Sequence, residues 1–146
     1  MAPTQYKRPE SVLVVIYTVS GEVLMLERRQ PAGFWQSVTG SLAWHESPGE
    51  AAIREVREET GLLVQDQLLD CGYSNRFEIL PAWRSRYAPG VGWNTEHVFR
   101  VELTEIAPIQ LSRVEHLRAD WLPAQQAADR VSSHTNRTAI ERYVSA

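Results

Sequence analysis

GSLAWHESPGEAAIREVREETGL, Gly40–Leu62, is the stretch whose reading decides the fold. Ser47 sits where a helix N-cap belongs, Pro48 at the first helical position and Glu50 at the third. That is a capping box reinforced by a proline whose missing N–H would be unpaired there anyway. The spacing predicts a helix over Pro48–Thr60, closed by Gly61 as its C-terminal cap. The whole piece reads as loop, helix, loop. Within it, Glu55 and Glu59 are four apart and Glu55 and Glu58 three apart, so the three share one side. Like charges so placed repel and weaken a helix, a conflict that a divalent cation removes. Carboxylate oxygens on a rigid support suit magnesium or manganese beside phosphate groups. A solvated acidic surface is the competing reading, because Glu is an excellent helix former. Ala52, Ile53 and Val56 are the candidate buried stripe.

Working outward, Val12–Thr18 is almost wholly apolar and β-branched, as in a central strand buried on both faces. Ser20–Gly21 is a turn, and Val23–Arg29 a second strand broken by Pro31–Gly33. Phe34–Thr39 is short and extended. Beyond the helix, Leu62–Tyr73 is expected to supply one or two strands and Arg76–Leu80 to continue them. Arg84–Asn94 is expected as a loop, Glu96–Leu103 as a strand and residues 104–114 as mixed loop. Arg118–Leu122 is a short last strand, followed by helices over Pro123–Arg130 and Asn136–Val144. This order predicts one α/β domain over 1–146, a mixed β-sheet sandwiched by helices.

Composition narrows the function classes. The 146 residues are 43% hydrophobic and 23% charged, with net charge −3 from 15 basic and 18 acidic side chains. Such a balance disfavours a nucleic-acid polymer as partner. The lone Cys71 excludes an intrachain disulfide. No stretch approaches a membrane span or signal peptide, so the expected setting is the cytoplasm.

From Gly40 the chain runs five residues to Glu46, seven more, then Arg54-Glu55-Val56-Arg57-Glu58-Glu59-Thr60-Gly61-Leu62. This resembles the signature box of the Nudix family at every fixed position. The resemblance implies the Nudix α/β/α sandwich and hydrolysis of a phosphoanhydride with Mg2+, for which Mn2+ is a possible substitute. It implies metal contacts from Glu55, Glu58, Glu59 and the Gly40 carbonyl. Glu46 and Arg54 are implied to order the catalytic segment as a charge-assisted pair.

Segments outside the box resemble the branch of that family acting on dihydroneopterin triphosphate in folate synthesis. They include Tyr6–Pro9, Phe34–Ser41, Arg86–Val91, Asn94–Glu96, Glu115–Leu117 and Asn136–Arg137. That branch releases pyrophosphate and leaves the monophosphate. The likeness makes Glu115 a further metal ligand or the general base, with Glu58 a rival base and Glu96 another carboxylate outside the box. His116 is expected either to support the site or to sit on an exposed loop. Candidate phosphate contacts are Lys7, Arg29 and Arg86; of the neighbouring pairs Arg28/Arg29 and Arg84/Arg86, only one member each is expected to face substrate. Trp35, Phe34, Tyr87 and Trp93 are candidate walls for a flat ring, and Asn94 and Asn136 candidate readers of its edge. Trp44 and His45 depart from the acidic or glycine-rich turn common in that branch. Two alternatives stay open. One is a nucleoside triphosphate or dinucleoside polyphosphate as substrate. The other is a non-catalytic Nudix-like binding domain.

Overall fold

The computed structural model describes residues 5–144. Its strands are β1 Glu10–Thr18, β2 Glu22–Arg28, β3 Trp35–Gln36, β4 Val38–Ser41, β5 Leu68–Glu78, β6 Trp93–Leu103 and β7 His116–Pro123. Its α-helices are α1 Pro48–Thr60, α2 Ala124–Arg130 and α3 His134–Tyr143. The path β3-β2-β1-β6-β5 forms the sheet, with β4 added on β1 and β7 on β2. β1 and β6 run parallel and the other pairs antiparallel, so the sheet is mixed as expected.

β1 is apolar without alternation because both of its faces are covered. Val12, Val14 and Ile16 pack with Ala51, Ala52 and Val56 of α1. Leu13, Val15 and Tyr17 pack on the opposite face with Ala124, Ala127, Ala139 and Ile140 of α2 and α3. Each buried Leu, Ile or Val contributes about 1.5–3 kcal/mol relative to exposure. β1 is thus the middle of three layers.

The site follows from a split in this sheet. β2 meets β1 only near its end, at Tyr17↔Val23, and β4 takes over at Ser11–Val14. The strands on either side diverge, leaving a cleft of roughly 1030 Å³ over the ends of β2, β3 and β4, the start of β1 and β6, and the end of β5.

Some boundaries differ from expectation. The chain over 62–67 is loop, not strand, because after the left-handed cap at Gly61 it turns back and buries Val64 beneath α1. β5 is one long strand with an irregularity between Asp70 and Ser74. Residues Pro81–Arg86, read partly as loop, form a short 3-10 helix, and β6 begins at Trp93, earlier than expected. On α1 the buried stripe uses Ala51, Ala52 and Val56, with Ile53 only half-buried.

Candidate active site

The predicted caps of α1 are present. The Ser47 hydroxyl accepts from the Glu50 N–H at 3.2 Å, and the Glu50 carboxylate accepts from the Ser47 N–H at 2.9 Å. Gly61 holds φ 78°, a left-handed conformation that costs glycine little. The helix is therefore a stiff platform, and its carboxylates divide by depth. Glu58 is half exposed, the Glu55 side chain only 12% exposed, and Glu59 1% exposed. Glu59 lies on the core-facing stripe, three residues after Val56 and seven after Ala52.

Burial of Glu59 is costly. Both of its carboxylate oxygens lack a hydrogen-bond partner among the described residues. Loss of solvent, then Glu55, Glu115 and Glu58, holds its proton affinity well above the usual carboxylate range. His116 is equally buried, with Nε2 3.6 Å from Glu59 Oε1 and Nδ1 unpartnered. Desolvation, then Arg28, lowers its pKa to about 4, so the ring is neutral near pH 7 and supplies no counter-charge. The exposed-loop reading of His116 is corrected: it opens β7 in the interior. Glu59, Glu115 and His116 each bring one donor atom within 4.8 Å of the others.

These residues fit a divalent cation. A desolvated, unpartnered carboxylate beside Glu55 and Glu115 is an unresolved charge without one, and hard oxygens are the donors that magnesium or manganese takes. Gly40 on β4 is part of the same construction. A Cβ placed there would collide with the Glu55 carboxylate, so only glycine lets Glu55 lie against the β4 backbone. Gly40→Ala is expected to push Glu55 out of place and lower kcat/KM by roughly 100-fold. The thermal melt should change little, because Gly40 is at the half-buried end of a strand. Steady-state kinetics with a melt on the same sample checks this; unaltered kinetics would remove Gly40 from the site.

Arg54 ties the segment together. Nε and Nη2 donate to both Glu46 oxygens at 2.7 and 2.8 Å, Nη2 donates to the Ser41 carbonyl at 3.0 Å, and Nη1 donates to Glu55 at 2.8 Å. Nη1 also reaches both Glu58 oxygens at 3.2 and 3.3 Å. The expected Glu46–Arg54 brace is thus one arm of a larger network. A second clamp was not foreseen: Arg8 Nη1 donates to the carbonyls of Ala43, Trp44 and Glu46, and Trp44 Nε1 donates to the Tyr6 carbonyl at 2.7 Å. Trp44 and the N-terminal segment therefore brace the loop from outside.

Across the cleft, Lys7, Arg28 and Arg86 are close enough that burial and the two guanidiniums lower the Lys7 pKa. A mutually repelling cationic cluster in a cleft suits phosphate. Arg29 also lines the cleft, but its guanidinium donates to the Arg113 carbonyl at 3.0 and 2.8 Å. It holds the loop carrying Glu115, whose carbonyl accepts from the Arg29 N–H.

The candidate ring readers separate. Phe34, Tyr87, Asn94 and Asn136 line the cleft. Trp35 does not; Arg130 stacks on it at 5.2 Å, because adjacent strand residues point oppositely and Gln36 takes the cleft side. Trp93 is likewise outside, under Arg76 at 4.9 Å. Asn136 accepts from the Ser37 N–H and donates to the Ser37 hydroxyl, so it pins α3 to the strand edge. Phe77, Leu80 and Trp83 were not anticipated as cleft-lining residues. Only their apolar character just before and within the 3-10 helix hints at that role.

The chain matches the NUDIX domain model over residues 7–143. It is 48% identical over 143 residues to dihydroneopterin triphosphate diphosphatase of Escherichia coli (strain K12), covering 95% of this chain and 94% of the relative. To the Haemophilus influenzae protein of the same name it is 43% identical over 145 residues, 96% of this chain and 90% of the relative. The solved E. coli dihydroneopterin triphosphate pyrophosphohydrolase superposes with TM-score 0.86 at 47% identity, covering 97% of this chain and 98% of that one.

Proposed function

Since the chain belongs to the Nudix family and is a Nudix hydrolase, a group that uses divalent metal ions, we propose that it converts dihydroneopterin triphosphate and water to dihydroneopterin monophosphate and pyrophosphate, with Mg2+ bound. The observation that carries this reading is a single cleft that brings carboxylates, cations, aromatic rings and neutral polar groups together. Glu55 and Glu115, beside the buried and unpartnered Glu59, face it together with Lys7, Arg28 and Arg86, whose neighbours Tyr87 and Phe34 lie under Lys7 and Arg28; Asn94, Ser133, Thr135 and Asn136 line the rest with amides and hydroxyls. Relatives that match almost end to end and carry that enzyme's name support the choice of substrate.

In this reading Glu59, Glu55 and the Gly40 carbonyl would hold the ion, with Glu58 and Glu115 at the rim. Such an ion neutralises phosphate oxygens and lowers the pKa of a bound water. Lys7, Arg28 and Arg86 bind the phosphate chain and hold it in line for water attack at phosphorus. Glu115 takes the proton of the attacking water on its carboxylate. It is exposed at the cleft, and burial together with Glu55 and Glu58 raises its proton affinity, which suits a base. Glu58, the rival, already has both oxygens on Arg54. His116 stays neutral beside Glu59.

A panel of dihydroneopterin triphosphate, the common nucleoside triphosphates and dinucleoside polyphosphates tests the reading, with Mg2+ and product identification. The pterin triphosphate is expected to lead in kcat/KM by about tenfold or more, with pyrophosphate as co-product. A clear preference for an ordinary nucleotide, or release of single phosphate, would overturn it.

A further inference from the structure

Glu96 has no part in the chemistry just described, yet its placement is unusual. It is only 7% exposed, and it lines the cleft. Its two oxygens differ. Oε1 accepts from Asn75 Nδ2 at 3.2 Å and from the Thr135 hydroxyl at 3.0 Å, which fills its capacity. Both of these side-chain hydrogen bonds fall on Oε1, and Oε2 retains access to the cleft. A desolvated carboxylate with one oxygen locked by two neutral donors and the other open is a preoriented acceptor. A ligand that covered that oxygen without offering it a donor would bind unfavourably, so it is suited to a ligand donor.

Strand register places this acceptor. Ser41, Ser11 and Glu96 lie in one row across β4, β1 and β6, and Gly40, which cradles Glu55, is next to Ser41. Two strand spacings put the Glu96 backbone about 10 Å from Ser41; its side chain projects on the α3 face, opposite the face that Glu55 packs on, and both line the same cleft. The three-carbon side chain and phosphates of the proposed substrate separate its ring from the scissile anhydride by a comparable span. The ring is a 2-amino-4-oxopyrimidine fused to a reduced pyrazine, with N3–H and the 2-amino group as adjacent donors. Guanine presents the same edge, whereas hypoxanthine lacks the amino group.

Building on the proposed function, we infer that Glu96 is the specificity residue of the ring subsite, its Oε2 accepting from the 2-amino and N3–H edge. Asn75 and Thr135 are positioning residues that aim it. Glu96→Gln is a sharp test. The Oε1 position must remain an acceptor for Asn75 and Thr135, so the new NH2 takes the Oε2 position and opposes donor with donor. The wall keeps its bonds while the atom facing the ring changes polarity.

The measurements are kcat/KM for dihydroneopterin triphosphate, and kcat/KM or competitive Ki for GTP and ITP, on wild type and Glu96→Gln with Mg2+. Wild type is expected to favour GTP over ITP by roughly tenfold or more. In Glu96→Gln that ratio should fall to about one or below, and kcat/KM on the pterin triphosphate should fall roughly 100-fold. Values for ITP should fall clearly less than those for GTP, because hypoxanthine keeps the ring N–H but has no 2-amino group to lose its acceptor. An unchanged GTP-to-ITP ratio, or equal losses on GTP and ITP, overturns the inference and makes Glu96 structural. If wild type prefers a nucleotide to the pterin, the proposed substrate fails, while a GTP-to-ITP ratio abolished by Glu96→Gln still upholds the subsite.

Discussion

Glu59→Gln is expected to remove most turnover, roughly 1000-fold in kcat/KM, and at the same time to stabilise the metal-free protein. The two effects have one cause. Glu59 is a carboxylate with both oxygens buried and unpartnered, surrounded by Glu55, Glu115 and Glu58. Without a cation that charge is unfavourable, and an isosteric amide relieves it. With a cation the same charge supplies several kcal/mol of phosphate neutralisation, at about 1.4 kcal/mol per tenfold in rate. The pH dependence has a defined sign. The folded chain binds this proton more tightly than the unfolded chain does. The associated stability is complete below the ordinary carboxylate range and is lost as pH rises through the raised value. Melts in chelator should therefore decline over that window in wild type and decline less in Glu59→Gln, which should melt about 3–6 °C higher near neutrality. Excess Mg2+ should raise the wild-type melt and leave the variant almost unmoved. Wild-type turnover in Glu59→Gln, or an equal Mg2+ shift in both proteins, would refute the assignment.

Arg54→Lys should lower kcat/KM roughly 100-fold although charge is conserved. Arg54 reaches three carboxylates and the Ser41 carbonyl with three nitrogens in one plane. An ammonium is a point charge that matches at most part of that set. The loop carrying Glu46 then loses its bidentate hold, and Glu55 its lateral restraint against Gly40. Loss of placement by about 1 Å is enough for an effect of this size. Because Arg54 is partly solvent-exposed, the stability change should be smaller than the kinetic one. Kinetics across a Mg2+ titration check it: saturating Mg2+ should recover part of the lost rate if Arg54 acts by positioning ligands. Full activity in Arg54→Lys would reduce the network to surface ion pairing.

The caps of α1 and the continuous apolar run of β1 were legible because both depend on near neighbours. Ser47, Pro48, Glu50 and Gly61 specify a helix within one turn of themselves, and β1 declares its double burial by lacking alternation. The depth of Glu59 was also open to inference from its spacing to Ala52 and Val56, although an acidic residue on an apolar stripe invites the opposite reading. Apolar content misled over 62–67, where Leu62 and Val64 fill space under a helix instead of pairing. Trp35 shows the same limit. Its type suits a ring slot, but one residue of register sends it to the far face and brings Gln36 to the cleft.

The 23 residues Gly40–Leu62 by themselves determined the capped helix and the clustering of its carboxylates, because caps and spacing act locally along the chain, whereas Gly40 and Ser41, read as loop, close strand β4. Only the tertiary structure decided that Arg29 is committed to a backbone carbonyl while Arg28 joins Lys7 and Arg86. It likewise decided that Asn136 is occupied within the wall, and that Glu96 presents one open oxygen to the cleft. Those outcomes depend on where a sheet splits and which residues meet across it, a property of long-range pairing that no local pattern encodes.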